Sequence, residues 1–182
     1  MKKNLLGLLA FTMIGLAASA QTEQGNYLVG GNFAINTAKN DTRVTLTPTV
    51  GYFFINNFAG GANVDLTYSK AGSNKSTIFG IGPFARYYLG TLNIRPFAHA
   101  NLNFTSNRSK NSAGSTTLNG SNYFLGAGLA AFINRNVAVE GLAGYSRTNY
   151  SHLSGSGGFN LRIGFQIYLS KEQVASVKNS IQ

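Results

Sequence analysis

Apolar and polar residues alternate along most of this chain with a period of two, the period of a strand with one buried face. The first such segment sets Tyr27, Val29, Gly31, Phe33 and Ile35 against Leu28, Gly30, Asn32, Ala34 and Asn36. The next three run from Val44 to Phe53, from Gly61 to Tyr68 and from Phe79 to Tyr88. In the second half the alternation covers Pro96 to Phe104, Tyr123 to Ala131, Asn136 to Tyr145 and Phe159 to Leu169. Eight strands are predicted, an even number. Short connections at Asn56-Asn57, Gly90 to Asn93 and Asn134-Arg135 follow aromatic-rich ends such as Tyr52-Phe53-Phe54. Residues 70–76, 107–120 and 149–157, rich in Ser, Asn and Gly, read as long loops on the other side, where only the first connection, near Lys39 to Thr42, is short. Pro48 and Pro83 fall inside strands and each removes a ladder donor, so a bulge is expected at both.

Alternation alone does not separate a membrane barrel from a soluble one; the charges do. Only 11% of residues are charged, against roughly 25% in ordinary soluble domains. Within the strands, Arg43, Asp65, Arg86, Arg95, Glu140 and Arg162 share the parity of the polar face, and Arg147 departs from it near a strand end. A charge facing lipid at mid-membrane costs about 2–4 kcal/mol, so the apolar face is expected to meet lipid. Aromatics form two belts: Tyr52, Phe54, Phe58 and Tyr87 near the short turns, and Tyr68, Phe79, Phe104, Tyr123 and Tyr145 near the long connections. The fold class that follows is all-β, an eight-stranded antiparallel up-and-down transmembrane β-barrel. Its lumen is only wide enough for side chains to fill. Asp65, Arg86, Glu140 and Arg162 point inward by parity beside His99 and balance in sign, so they are expected to pair, Asp65 with Arg86 and Glu140 with Arg162. Phe84, Tyr88 and Phe97 fill further space, giving a plugged barrel.

The ends carry their own signals. Residues 1–20 combine Lys2-Lys3, an apolar run from Leu5 to Leu16 and an Ala18-Ser19-Ala20 cleavage site, the pattern of a signal peptide removed to leave Gln21 first. Residues 21–169 make the barrel, and 170–182 a short periplasmic tail, disordered or briefly helical. With no Cys there is no disulfide framework and no thiolate chemistry. The net charge is +10, yet basic residues are scattered without a basic–aromatic groove, which disfavours nucleic acid.

Three stretches carry a family resemblance: Gly82 to Tyr88 (GPFARYY), Tyr52 to Asn57 (YFFINN), and a last strand with Arg162, Gly164, Ile167 and Leu169 at polar-x-Gly-x-x-hydrophobic-x-hydrophobic spacing. The chain resembles the small outer-membrane β-barrel proteins of Gram-negative bacteria, such as the OmpA transmembrane domain and OmpX, and the outer membrane protein beta-barrel domain family. The resemblance implies a monomer in the cell outer membrane, with Arg162, Gly164, Ile167 and Leu169 as the signal read by the barrel-assembly machinery. The tail is too short for the additional peptidoglycan-binding domain of about 100 residues found in OmpA.

Candidate chemistry is sparse. Ser151-His152-Leu153-Ser154 contains the H-x-S core of lipid A deacylases, but the only later carboxylate side chain is Glu172, in the tail, and no third group orients the imidazole. Gly126 to Ala131 matches G-x-G-x-x-A formally; lying on an alternating strand, it reads as small lumen residues. No catalytic, metal or cofactor residues are proposed. Lys39, Lys70, Lys75, Arg108, Lys110 and Arg147 form a basic extracellular rim suited to the phosphates of lipopolysaccharide. The expected role is structural or a loop-mediated surface interaction, with outer-membrane lipid and lipopolysaccharide as partners. The alternatives are a narrow channel or small-ligand transport barrel, and, third, a lipid A hydrolase.

Overall fold

The computed structural model describes residues 22–38, 41–72, 74–111, 114–151 and 153–181. Their strands are β1 (Tyr27–Ala38), β2 (Asp41–Ile55), β3 (Phe58–Ala71), β4 (Asn74–Tyr88), β5 (Ile94–Asn111), β6 (Gly114–Phe132), β7 (Val137–Tyr150) and β8 (Leu153–Leu169). Each is antiparallel to the next, and β8 returns to pair with β1, closing the barrel. The expected segment 1–20, the residue Lys39 and His152 lie outside the described residues.

The pleat sorts the two faces inside out. Thr47, Thr49, Asn63, Asn103, Arg86, Glu140 and Gln166 are buried within the barrel, while Val50, Ile81, Leu125 and Leu161 expose 50–71% of their surface outward. An apolar exterior of this extent has no counterpart on soluble monomers, whose largest patch is about 300–600 Å². It suits hydrocarbon. Pairing between neighbouring strands satisfies most of the backbone, as that solvent requires.

The lower side is the one that holds Thr22 and the end of β8. At that end β2 and β3 are joined by Asn56-Asn57, with Asn57 at φ 67°, a left-handed conformation that asparagine tolerates better than most residues. The N-terminal stretch folds across this mouth. The Asn57 amide donates to the Thr22 carbonyl (2.7 Å), the Thr22 hydroxyl to Asn57 Oδ1 (2.6 Å), and Arg95 Nη1 to the same hydroxyl (2.6 Å). After β8, a helix α1 (Lys171–Ile181) begins with a reciprocal cap. The Gln173 amide donates to Ser170 Oγ (3.3 Å) and the Ser170 amide to Gln173 Oε1 (2.9 Å). Glu172, in the first turn, has its carboxyl held below the ordinary range by its own backbone amide and the Ser170 hydroxyl. The tail is therefore helical.

Two expectations are corrected. The upper connections are not long loops: β3 and β4 are joined through 72–73, β5 and β6 through 112–113, and β7 and β8 through 151–152. The ladder runs on through the presumed loops, with Lys70 opposite Lys75, Lys110 opposite Ser115 and Asn111 opposite Gly114. Above the lipid both faces of a strand meet water, so apolar alternation fades while hydrogen bonding continues. Nor do the prolines cause bulges. Pairing of β2 with β3 lapses at Thr47-Pro48 and resumes in the same register at Thr49 opposite Asn63, while Pro48 stays opposite Gly31 of β1. Pro83 likewise stays opposite Ala62. An antiparallel residue directs its amide to one neighbour only, so a missing donor interrupts one ladder without shifting it. The register shifts occur instead at Phe53/Ile55 and Thr148/Tyr150.

Candidate functional site: lumen and basic crown

Among the described residues, one ion pair crosses the lower lumen. Arg86 of β4 and Glu140 of β7 meet at 2.8 Å with both side chains fully inaccessible. Arg86 Nη1 donates to both Glu140 oxygens (3.0 and 2.8 Å) and to Tyr88 Oη (3.0 Å). Tyr168 donates its hydroxyl to Glu140 Oε1 (3.0 Å) and lies 2.8 Å from the Tyr88 hydroxyl. Arg86 Nε donates to His99 Nδ1 (3.3 Å), so that nitrogen is an acceptor, and the guanidinium sits 4.5 Å over the Phe97 ring. Around this cluster pack Leu28, Phe53, Ala59, Phe84, Ala130, Ala138 and Leu142.

Glycines make room for the rings. A Cβ at Gly128 would sit 2.5 Å from Phe97 Cζ, and one at Gly144 or Gly126 would sit 2.5 or 2.7 Å from Phe124 Cζ. Gly126 and Gly128 of the formal dinucleotide pattern thus face aromatic side chains on a strand.

The expected pairings are not the ones made. Asp65 stands opposite Gly80, six residues along β4 from Arg86, which at about 3.3 Å per residue is roughly 20 Å. Parity fixes the face a residue points to, not its height. Asp65 instead accepts from Thr47 Oγ1 (2.8 Å) and from Asn103 Nδ2, while Asn63 Nδ2 donates to Asn103 Oδ1 (3.1 Å). Glu140 lies opposite Gly164, near Arg162, yet its oxygens are taken by Arg86 and the tyrosines. Arg162 turns onto the Phe124 ring at 4.2 Å. Sequence reasoning missed Tyr168 as a member of the cluster and treated Tyr88 as filler, although both carry the inward parity.

On the outer face, Tyr27, Tyr52 and Phe54 make edge contacts at 5.2 and 5.4 Å near the lower turns, and Tyr145 meets Phe159 at 5.6 Å in the upper belt. Above that belt, Lys70, Lys75 and Lys110 face one another across three successive strands. By the parity of Tyr68, Phe79 and Phe104 they point outward, as do Arg108 and Arg147 on their strands. These residues therefore sit on strand extensions, not on loops. Of the assembly pattern, Gly164 lies opposite Asn32 at the closing seam, where a Cβ would come 2.5 Å from Asn32 Oδ1, and Ile167 and Leu169 pair with Val29 and Tyr27. Among the described residues no three His, Asp or Glu side chains group as metal ligands.

Two solved structures are similar in fold. The N-terminal β-barrel domain of Pseudomonas aeruginosa OprF matches with a TM-score of 0.54 at 15% identity, over 80% of this chain and 98% of that one. Neisserial surface protein A matches with a TM-score of 0.60 at 18% identity, over 79% and 97%. No curated protein sequence matches. The description of the outer membrane protein beta-barrel domain matches residues 6–171. With its closed antiparallel barrel, lipid-facing exterior and this match over nearly its whole length, the chain is an outer-membrane protein that belongs to the outer membrane protein beta-barrel domain family.

Proposed function

We propose that this barrel is a plugged, monomeric surface protein of the outer membrane whose basic crown engages the phosphates of lipopolysaccharide. The observation that carries this reading is the row Lys70, Lys75 and Lys110 on adjacent strands. Like charges directly opposite destabilise a sheet, and strands lie only about 4.8 Å apart. Three such ammonium groups just above an aromatic belt are accounted for by anions at headgroup height, where each charge-assisted contact is strong. The last strand, with Arg162, Gly164, Ile167 and Leu169, serves insertion by the barrel-assembly machinery. No reaction is assigned: Ser154 lies at the upper start of β8, whereas Glu172 follows that strand on α1, at the other end of the barrel.

The test is binding of the folded protein to vesicles with and without lipopolysaccharide. Replacing Lys70, Lys75 and Lys110 together by Gln is expected to cost about tenfold in affinity, and to flatten the salt dependence. Unchanged binding by that variant would remove the crown from the reading. A small-ligand barrel is the second reading, favoured by an open seam between β1 and β8.

A further inference from the structure

The seam that closes the barrel is incomplete. β1 and β8 share seven rungs, from Tyr27 opposite Leu169 to Phe33 opposite Ile163, whereas every other neighbouring pair shares 12 to 18. Beyond Phe33, β1 remains paired with β2, and β8 above Ile163 remains paired with β7, so each has one free edge. The gap begins at membrane depth. Phe159 stands opposite Tyr145 of the upper belt, and Leu161 and Ile163 lie below that level. Phe159 and Leu161, outward on the free edge, expose 88% and 71% of their surface.

Unpaired backbone within a bilayer is tolerated only where it lines protein or a water-filled cavity. Here a cavity of about 620 Å³ is lined from both edges, by Asn36 and Thr37 on β1 and Ser156 to Asn160 on β8, with Arg43 beside them. A deeper chamber of about 100 Å³ shares Asn36, Arg43 and Asn160 and reaches Asp65 and Arg162. Arg162 is only 8% exposed and lines that chamber. Among the described residues it stacks on Phe124 and makes no hydrogen bond or salt bridge. Asp65, the carboxylate of the chamber, has its two oxygens engaged by Thr47 and Asn103. A buried cation thus faces a polar chamber that shares Asn36, Arg43 and Asn160 with the cavity between the two free edges.

We propose that the upper lumen binds a single-chain amphiphile with an anionic headgroup of carboxylate or phosphate size. The headgroup meets Arg162 and Arg43, and the tail leaves between β1 and β8 along Phe159 and Leu161. A small charged head inside with a tail outside is the arrangement that both the chamber and the gap accommodate. This site is independent of the lysine crown, which lies outside the barrel.

The chain has no cysteine, so Leu161→Cys or Leu102→Cys places one fluorophore at the seam or across the barrel on β5. The full barrel in neutral maltoside micelles is titrated with 12-bromododecanoate, whose tail quenches on contact; dodecyl phosphate as competitor separates a phosphate from a carboxylate source. Saturable quenching is expected at position 161 and not at 102, displaced by dodecanoate or dodecyl phosphate and not by dodecanol. Arg162→Gln in the Leu161→Cys background is expected to weaken it about tenfold or more, with Arg162→Lys recovering part. Equal quenching at 161 and 102, displacement by dodecanol, or undiminished quenching in Arg162→Gln would each overturn the proposal. The wild-type Arg162 comparison of anionic with neutral probes decides the matter even if a substituted barrel folds poorly.

Discussion

Glu140 is the residue on which the lower lumen turns, since its carboxylate accepts from both the Arg86 guanidinium and the Tyr168 hydroxyl, with Tyr88 closing the ring. A buried ion pair is a weak source of net stability, because desolvation of both groups offsets much of their attraction. Breaking it is another matter, because the surviving charge is left without its partner. Glu140→Ala is therefore expected to lower unfolding free energy by about 3–5 kcal/mol, and Glu140→Gln by less, because an amide oxygen still accepts from Arg86 and Tyr168. With no Trp in the chain, the folded fraction is best followed by heat-modifiable electrophoretic mobility across a urea series. The same contact spans the lumen from β4 to β7, so the native protein should give no steady conductance steps in planar bilayers. An unchanged urea midpoint in Glu140→Ala would show a solvated network, and nanosiemens steps from the native protein would show an open one.

The strands, of 12 to 19 residues, exceed the 9–11 that a tilted transmembrane strand needs. The excess stands above the upper aromatic belt as paired hairpins, most of all in β5 and β6, which stay in register to Asn111 opposite Gly114. Amides of residues 106–111 and 114–119 that bond across this pair are therefore expected to exchange at least about a hundredfold more slowly than an unstructured peptide. Rapid exchange throughout would return this segment to a loop. What could be read from sequence follows the same physics. Eight strands and their facing were legible because lipid on one side and a packed lumen on the other impose a strict period of two, as in Leu46 out, Thr47 in, Pro48 out, Thr49 in. The ends of β5 and β6 were not, because water on both faces removes the period. The lumen partners were half legible: parity put Arg86, Asp65, Glu140 and Arg162 inside, but the stagger between strands sets height, and height made Glu140 the partner of Arg86. The seam was illegible, since nothing in the side-chain pattern of β1 or β8 reports that their pairing stops at Phe33.

At the scale of the whole molecule, everything proposed for the surface depends on which end faces out. An even number of antiparallel strands returns the chain to the side where it began, so Thr22 and α1 share the lower mouth. There the Thr22 contacts with Asn57 and Arg95 and the bond from Asn136 Nδ2 to Gln173 Oε1 (2.9 Å) tie both ends under the barrel. The strands run on past the upper aromatic belt, and the outward lysine row lies at that end, beyond Tyr68, Phe79 and Phe104. In barrels of this class the longer projections face outward, and the proposed orientation on that basis sets the lysines against the leaflet that holds lipopolysaccharide. An epitope inserted between Asn111 and Gly114 is therefore expected to be stained on intact cells. One appended after Gln182 should be stained only once the outer membrane is permeabilised. The reverse pattern would place the crown in the periplasm, take the lysine row away from lipopolysaccharide, and turn the open seam toward the inner leaflet.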